Sequence, residues 1–326
     1  LHTVKVLSYF ALWFTLGTWY NIVNKRVLNR LPLPWTVASA QLGIGGVWVA
    51  VQWLLRLRAA PSLGPYDLAS VLPVAVFHGG GQLATVLSLG AGAVSFTHIV
   101  KAMEPFFSAV VSAVCFRQVF RPQVYAALIP VVAGVSVACY SELTFSWFSF
   151  AAAMISNLFF ALRANFSKAI MARKPRAAPA AATAASATTA GTAAAAEPRS
   201  MSPANLYAVV TMTAFALTAP IALLAEGSKW GPAWAAARAG GAPAQALAMS
   251  VLLSGLTHYL NNEVMYLALN NVHPITLAVG NTMKRVFIIA ASLIVFRNPI
   301  SQLGAIGSAI GIGGVLLYSL ARNYYG

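Results

Sequence analysis

Apolar residues recur in long runs from one end of this chain to the other. Ten runs, at about 4–23, 35–55, 68–89, 93–116, 123–140, 148–170, 204–225, 246–268, 274–296 and 300–320, reach the roughly 17–25 residues that a helix needs to cross a bilayer. Runs of that length with few charges read as membrane helices rather than strands. The pattern therefore predicts an all-α polytopic membrane protein with ten transmembrane helices.

Two stretches interrupt the pattern. From Ala172 to Pro203 the chain holds Arg173, Lys174 and Arg176, then an Ala/Thr/Ser tract from Ala177 to Ala196 broken by Pro179 and Gly191. It lacks apolar periodicity and reads as a disordered loop. A second loop, about Gly227 to Pro243, carries Lys229, Trp230 and Arg238 and reads as an interfacial segment. An internal repeat is also visible. FRQVFRPQVYAALIPVVAGVSVACYS runs from Phe116 to Ser141, and FRNPISQLGAIGSAIGIGGVLLYS from Phe296 to Ser319. Both have Phe-Arg closing an apolar run, then a proline, a Gly-bearing run and Tyr-Ser. The expected division is 1–171 for the first five spans plus the sixth, 172–203 for the loop and 204–326 for spans seven to ten, with the repeat boundary near 145. Five spans per repeat invert one half relative to the other, and such repeats place a substrate site near the bilayer midplane.

Composition agrees with this class, since 59% of the 326 residues are hydrophobic and only 8% are charged. A soluble domain carries about 25% charged residues. The net charge of +15 does not make a nucleic-acid binder, because the basic residues sit mostly at span ends, as Lys25, Arg26 and Arg30 or Arg56 and Arg58 do. Membrane proteins collect Lys and Arg at the anionic head-group level. Ten such residues on the N-terminal side against six opposite place both termini on the cytosol-like or stroma-like side. Cys115 and Cys139 have no motif spacing and read as small core residues. The chain starts at Leu1, and a further N-terminal segment is expected before it.

A charge inside a span costs about 2.5–3.5 kcal/mol on insertion scales and needs a reason to persist. Here the deep set is Lys101 and Glu104 in the fourth span, Arg163 in the sixth, Glu263 in the eighth, and Lys284 and Arg285 in the ninth. Four cations face two acids. Lys284 and Arg285 fall mid-span, about 100° apart around the helix, so both can reach one cavity. A planar guanidinium fork and a compact ammonium both suit phosphate oxygens. The alternative is a structural pairing with Glu104 or Glu263. In the fourth span, Thr97 and Lys101 share a face and Pro105 interrupts the backbone ladder just beyond. Glu104 reads as a structural charge partner, and His98 as a hydrogen-bonded packing residue. No phosphate loop, metal spacing or Ser-His-Asp arrangement occurs, so no enzyme chemistry, cofactor or metal is expected.

SFTHIVKAMEPFF (Ser95 to Phe107), SNLFFALRANFSKAIM (Ser156 to Met171) and VGNTMKRV (Val279 to Val286) resemble the plastid phosphate translocators of the drug/metabolite transporter superfamily, along nearly the whole chain. The resemblance implies ten helices in two inverted five-helix repeats. It also implies strict exchange of inorganic phosphate for phosphorylated C3, C5 or C6 metabolites across the plastid inner envelope. By position it implies that Lys101, Lys284 and Arg285 grip the phosphate, with Thr85 and Arg163 lining the same cavity. Gln82 stands where triose-phosphate members have a His, and Asn261-Asn262-Glu263 where the family commonly has Tyr-Asn-Gln, positions that contact the rest of the substrate in the triose-phosphate type. Those departures put substrate identity in question. Triose phosphate and 3-phosphoglycerate lead, then phosphoenolpyruvate, then glucose 6-phosphate. A nucleotide-sugar carrier, a channel and a non-transporting scaffold are the other readings.

Overall fold

The computed structural model describes residues 2–61, 64–143, 145–171, 202–269 and 274–325. Among them no strand occurs. The helices are α1 (His2–Arg30), α2 (Pro34–Leu54), α3 (Pro65–Ala91), α4 (Val94–Lys101), α5 (Glu104–Phe116), α6 (Pro122–Ala126), α7 (Ile129–Tyr140), α8 (Trp147–Met171), α9 (Pro203–Glu226), α10 (Trp230–Ala239), α11 (Ala244–Leu269), α12 (Pro274–Phe296) and α13 (Gln302–Tyr325).

Eight segments of the described residues are long and apolar enough to cross a membrane, with α4–α5, α6–α7 and α9–α10 each counted as one. The other two expected spans, α1 and α11, are helices of 29 and 26 residues outside that set. Both are rich in polar residues, Asn21, Asn24 and Lys25 in one and Thr257, His258 and Asn261 to Glu263 in the other.

The packing is polar within and apolar without. Asn24, Gln41, His78, Thr97 and Asn157 are fully buried, while Leu224 is 88% exposed and Ile294 76%. This distribution suits a lipid solvent, in which interior polar groups must find partners within the protein. Gln41 on α2 donates to Asn24 Oδ1 on α1 (2.8 Å) and to Ser254 Oγ on α11 (2.7 Å), and accepts from Gln82 Nε2 on α3 (2.7 Å). One carboxamide thus joins four helices. At one end Glu226, the last residue of α9, accepts from the backbone N–H of Thr36 (2.8 Å) and from its hydroxyl (2.7 Å), capping α2 from a distance of 190 residues in sequence.

The principal neighbours are α3 with α8, α1 with α11, α2 with α9, and α7 with α13; α3 also meets α9, α11 meets α2, α12 meets α1 and α4, and α8 meets α4 and α5. The α7–α13 contact is a backbone seam. A Cβ on Gly134 would lie 2.2 Å from Gly311 N and 2.6 Å from Gly307 O, and one on Gly314 2.7 Å from Val131 N. Small residues let two helices close to backbone contact where no hydrophobic effect drives them together.

The fourth apolar run is two helices, as Pro105 foretells. α4 ends at Lys101, Ala102 and Met103 make tight turns onto Ile99 and Val100, and α5 begins at Glu104. The amide of Asn157 on α8 donates to the Val100 carbonyl at the break (3.0 Å).

Two expectations are corrected. The Gly227–Pro243 loop is a short 3-10 turn (Gly227–Lys229) followed by α10. Its WAAARA core has high helix propensity, and Gly241 at φ +82° turns the chain out. Cys115 is exposed rather than in the core, because its position on α5 faces outward; Cys139 is half-buried. Of the Ala-rich loop, residues 172–201 lie outside the described residues, while Ser202 Oγ accepts from Asn205 N (3.2 Å) to cap α9.

The seam makes two glycines of similar sequence context behave differently. Gly134→Ala forces α7 from α13 and is expected to destabilise by about 1–3 kcal/mol. Gly313→Ala meets nothing within 4 Å and is expected to be neutral or slightly stabilising, as Ala is about 0.5–1 kcal/mol better in a helix. Thermal unfolding of the two variants in detergent gives the comparison.

Candidate functional site

The broken helix presents Lys101 to the interior at the C-terminus of α4. Its Nζ donates to Ser156 Oγ on α8 (2.7 Å) and Thr85 Oγ1 on α3 (3.1 Å) and lies 4.5 Å from the centroid of Phe160. Both hydroxyls are within donating distance of the Gly81 carbonyl, Thr85 at 2.8 Å and Ser156 at 3.1 Å. That arrangement turns their lone pairs to the ammonium. All of the ammonium's partners are neutral.

Arg163, two turns along α8 from Ser156, uses the same aromatic ring, with its guanidinium carbon 4.8 Å from the Phe160 centroid. Its Nη1 is 3.1 Å from His78 Nδ1. Arginine only donates, so Nδ1 accepts and the His78 proton sits on Nε2. That Nε2 has no partner among the described residues. The His78 ring stacks on His258 of α11, centroids 6.1 Å apart at 16°.

On the facing side, Arg285 pairs with Glu104 and so ties α12 to the start of α5. Lys284 makes no ion pair or hydrogen bond among the described residues. Its Nζ lies 4.4 Å from the centroid of a Trp13 ring on α1. A Cβ on Gly17 would come within 3.1 Å of Lys284 Cδ and 2.9 Å of Asn261 Oδ1. Lys101 and Arg163 share the Phe160 ring, and Lys284 is adjacent in sequence to Arg285, whose partner Glu104 lies three residues beyond Lys101.

The other expected residues divide. Gln82 donates to Tyr20 Oη (2.8 Å) as well as to Gln41 and sits in the interior carboxamide network. Asn261 is buried, with no partner for its Oδ1 among the described residues. Asn262 donates to the His258 carbonyl of its own helix (2.9 Å). Glu263 pairs with Arg58, beyond the end of α2. The two acids are therefore spent differently from each other, one on a deep cation and one on a span-end arginine. Lys101, Arg163 and Lys284 have no carboxylate partner among the described residues. His98, expected as a packing residue, is buried with Nε2 2.7 Å from Asn21 Oδ1.

Sequence reasoning passed over Ser156, Phe160, Trp13, Tyr20 and the two stacked histidines. Ser156 and Phe160 lie in the second motif beside Arg163. His78 and His258 are 180 residues apart, the offset of the two Phe-Arg motifs, and that coincidence could have found them. A recess of about 600 Å³ is lined by Met103, Val135, Cys139, Tyr140, Trp147 and Phe150 among others and includes none of the deep cations. Its apolar walls, from α7, the first turns of α8 and Met103 at the α4–α5 break, fit hydrocarbon, not an anion.

Comparison with known proteins bears on the same chain from another side. The model of the triose-phosphate transporter family matches residues 4–319. Curated relatives include a triose phosphate/phosphate translocator of non-green plastids from Brassica oleracea var. botrytis, 36% identical over 314 residues, 96% of this chain and 72% of that protein. Phosphoenolpyruvate/phosphate translocator 1 of Arabidopsis thaliana is 36% identical with 96% and 71% covered. Glucose-6-phosphate/phosphate translocator 2 of the same plant is 35% identical with 98% and 76% covered. All three are chloroplastic. A solved crystal structure superposes with a TM-score of 0.50 over 98% of this chain and 97% of its own at 18% identity, a likeness of fold alone. With a match of this extent, and a broken helix and buried cations of the kind a carrier needs, the chain belongs to the triose-phosphate transporter family, a family of transporters rather than enzymes.

Proposed function

We propose that this protein exchanges inorganic phosphate for phosphorylated C3 metabolites across the plastid inner envelope by alternating access. The observation that carries the reading is the surplus of interior positive charge, with Lys101 and Arg285 buried and Arg163 and Lys284 half-buried. Lys101, Arg163 and Lys284 hold three charges against hydroxyls, an imidazole and aromatic faces, and a phosphate dianion supplies the compensation that the protein withholds. In this reading Lys101, Thr85 and Arg163 from one side and Lys284 and Arg285 from the other grip the phosphate. Glu104 holds Arg285 in place, and Gln82 and Asn261 meet the remainder of the substrate. Asn262 and Glu263, expected beside them, enter through α11, Glu263 by way of its pair with Arg58.

Ten spans in two inverted repeats fit the packing. Let α1, α2, α3, α4–α5, α6–α7, α8, α9, α11, α12 and α13 be spans one to ten. Exchanging each span for the one five places away turns the α3–α8 contact into α11–α1, α3–α9 into α11–α2, and α8–α4/α5 into α1–α12. The α2–α9, α7–α13 and α4–α12 contacts map onto themselves. A two-fold relation between halves of this kind supports a central site shared by both. The halves then meet at His78 and His258, which the same exchange relates.

Exchange follows from the charge. With the site empty, closing the halves over three like charges in a medium of low effective dielectric raises a barrier. A bound dianion cancels the repulsion, so the loaded carrier reorients and the empty one stays. The relatives named for triose phosphate, phosphoenolpyruvate and glucose 6-phosphate share phosphate as counter-substrate in their names. The order triose phosphate and 3-phosphoglycerate, then phosphoenolpyruvate, then hexose phosphate follows the likeness to such relatives rather than the geometry of the site.

Proteoliposomes preloaded with phosphate are expected to take up labelled phosphate only in exchange, with C3 phosphates competing best and Lys101→Ala or Lys284→Ala abolishing uptake. Uptake independent of the internal load, or competition by nucleotides alone, would refute the proposal. Glu104→Gln strands Arg285 at 8% side-chain exposure and is expected to destabilise by on the order of 3 kcal/mol, part of it restored by added phosphate. Glu263→Gln frees Arg58, 23% exposed, to turn to the interface at a cost within about 1 kcal/mol. Thermal unfolding with and without phosphate separates the two.

A further inference from the structure

The four deep cations are not held alike. Lys101 spends its donors on Ser156 and Thr85, Arg163 is bonded to His78, and Arg285 is paired with Glu104. Lys284 alone of the four has no hydrogen bond or carboxylate among the described residues, and it has a built seat instead. Trp13 offers its ring face to the ammonium at 4.4 Å. One turn on, Gly17 leaves the gap into which the lysine stem fits, since any Cβ there would stand 3.1 Å from Cδ. Trp13 is itself 1% exposed and set against Phe10 (6.0 Å) and Phe14 (6.1 Å), so the ring has little room to move. A ring face attracts an ammonium through its quadrupole and takes no N–H donor in a directed bond.

We infer that Trp13 and Gly17 are positioning residues for Lys284: together they hold its ammonium at the substrate site with its donors unspent, ready for an anion's oxygens. This rests on the exchange reading above. The seat does for Lys284 what two hydroxyls do for Lys101, with one difference. Hydroxyl partners must be given up or shared when an anion arrives, whereas the aromatic face can stay in contact behind the ammonium. Lys284 is then the first cation to engage incoming phosphate. A freely rotating lysine would have to be ordered at that moment, and the seat removes this cost before binding.

Two substitutions that both shrink the side chain separate seat from packing. Trp13→Phe keeps a ring face and Trp13→Leu does not. Both are expected to lower thermal stability to a similar degree. In phosphate counter-exchange, Trp13→Leu is expected to raise KM for phosphate about tenfold and Trp13→Phe about threefold or less, the span of a desolvated cation–π contact, with maximal rate little changed. Gly17→Ala, a helix-compatible change, is expected to raise KM in the same way and serves if Trp13→Leu does not fold. In phosphate titration of detergent-solubilised protein, Trp13→Leu is expected to add nothing once Lys284→Gln is present. An unchanged KM in Trp13→Leu or in Gly17→Ala, equal KM values in the Leu and Phe variants, or a full effect that persists beside Lys284→Gln would overturn the inference. Absence of exchange in the unaltered protein would instead sink the functional reading on which it rests.

Discussion

Positive charge without a matching acid is the constraint around which the interior of this protein is arranged. A cation buried in a membrane protein is tolerated when it is paired or when it faces a polar cavity. Of the four in the interior, Arg285 alone has a carboxylate among the described residues, and the second interior acid, Glu263, is paired with Arg58. The remaining three are kept by dipoles and quadrupoles: hydroxyls at Lys101, an imidazole nitrogen at Arg163, and the rings of Phe160 and Trp13. Such partners lower the energy of a charge without cancelling it. On the proposed function, the site stays electrically incomplete, which a carrier of anions needs and a structural ion pair would spoil.

The secondary structure serves the same end. Lys101 reaches the interior from the last residue of α4 because Pro105 cannot extend the ladder, and Asn157 adds a donor to the Val100 carbonyl beside the break. The carboxamide set of Gln41, Asn24 and Gln82 ties α1, α2 and α3 together with neutral groups, so the framework around the cations adds rigidity and no countercharge. Glycine seams do the rest of the joining at α7 and α13, away from the charges, where close backbone approach substitutes for polar contact.

Much of this was legible in the residues, and the remainder was hidden for identifiable reasons. Long apolar runs and the Pro105 break can be read locally, since each depends on residues within a turn or two. Intramembrane charges announce themselves because they are expensive. What could not be read was which acid serves which base. Glu104 and Arg285 are 181 residues apart and Glu263 and Arg58 are 205 apart, and only the packing of four helices decides between them. Neutral partners such as Ser156 and Trp13 carry no such cost and therefore no signal, although Ser156 lay within a recognised motif. The α10 segment reads as an interfacial loop on its Lys229, Trp230 and Arg238, whereas short alanine-rich stretches form helix without an apolar face. The exposed face of Cys115 reflects the inversion of inside and outside that a lipid solvent brings.

The break between α4 and α5 also has a mechanical side. A continuous helix resists bending because every degree of tilt stretches several backbone hydrogen bonds at once. Here the ladder is already interrupted at Ala102 and Met103, and the Val100 carbonyl is held by a side chain that can follow it. The two segments are thus joined by a compliant coupling rather than a rod. With Lys101 at the end of one segment and Glu104 at the start of the next, a small change of angle there would alter the distance between the cation and the acid that anchors α12, converting a tilt of the helix into a change in the electric field at the site.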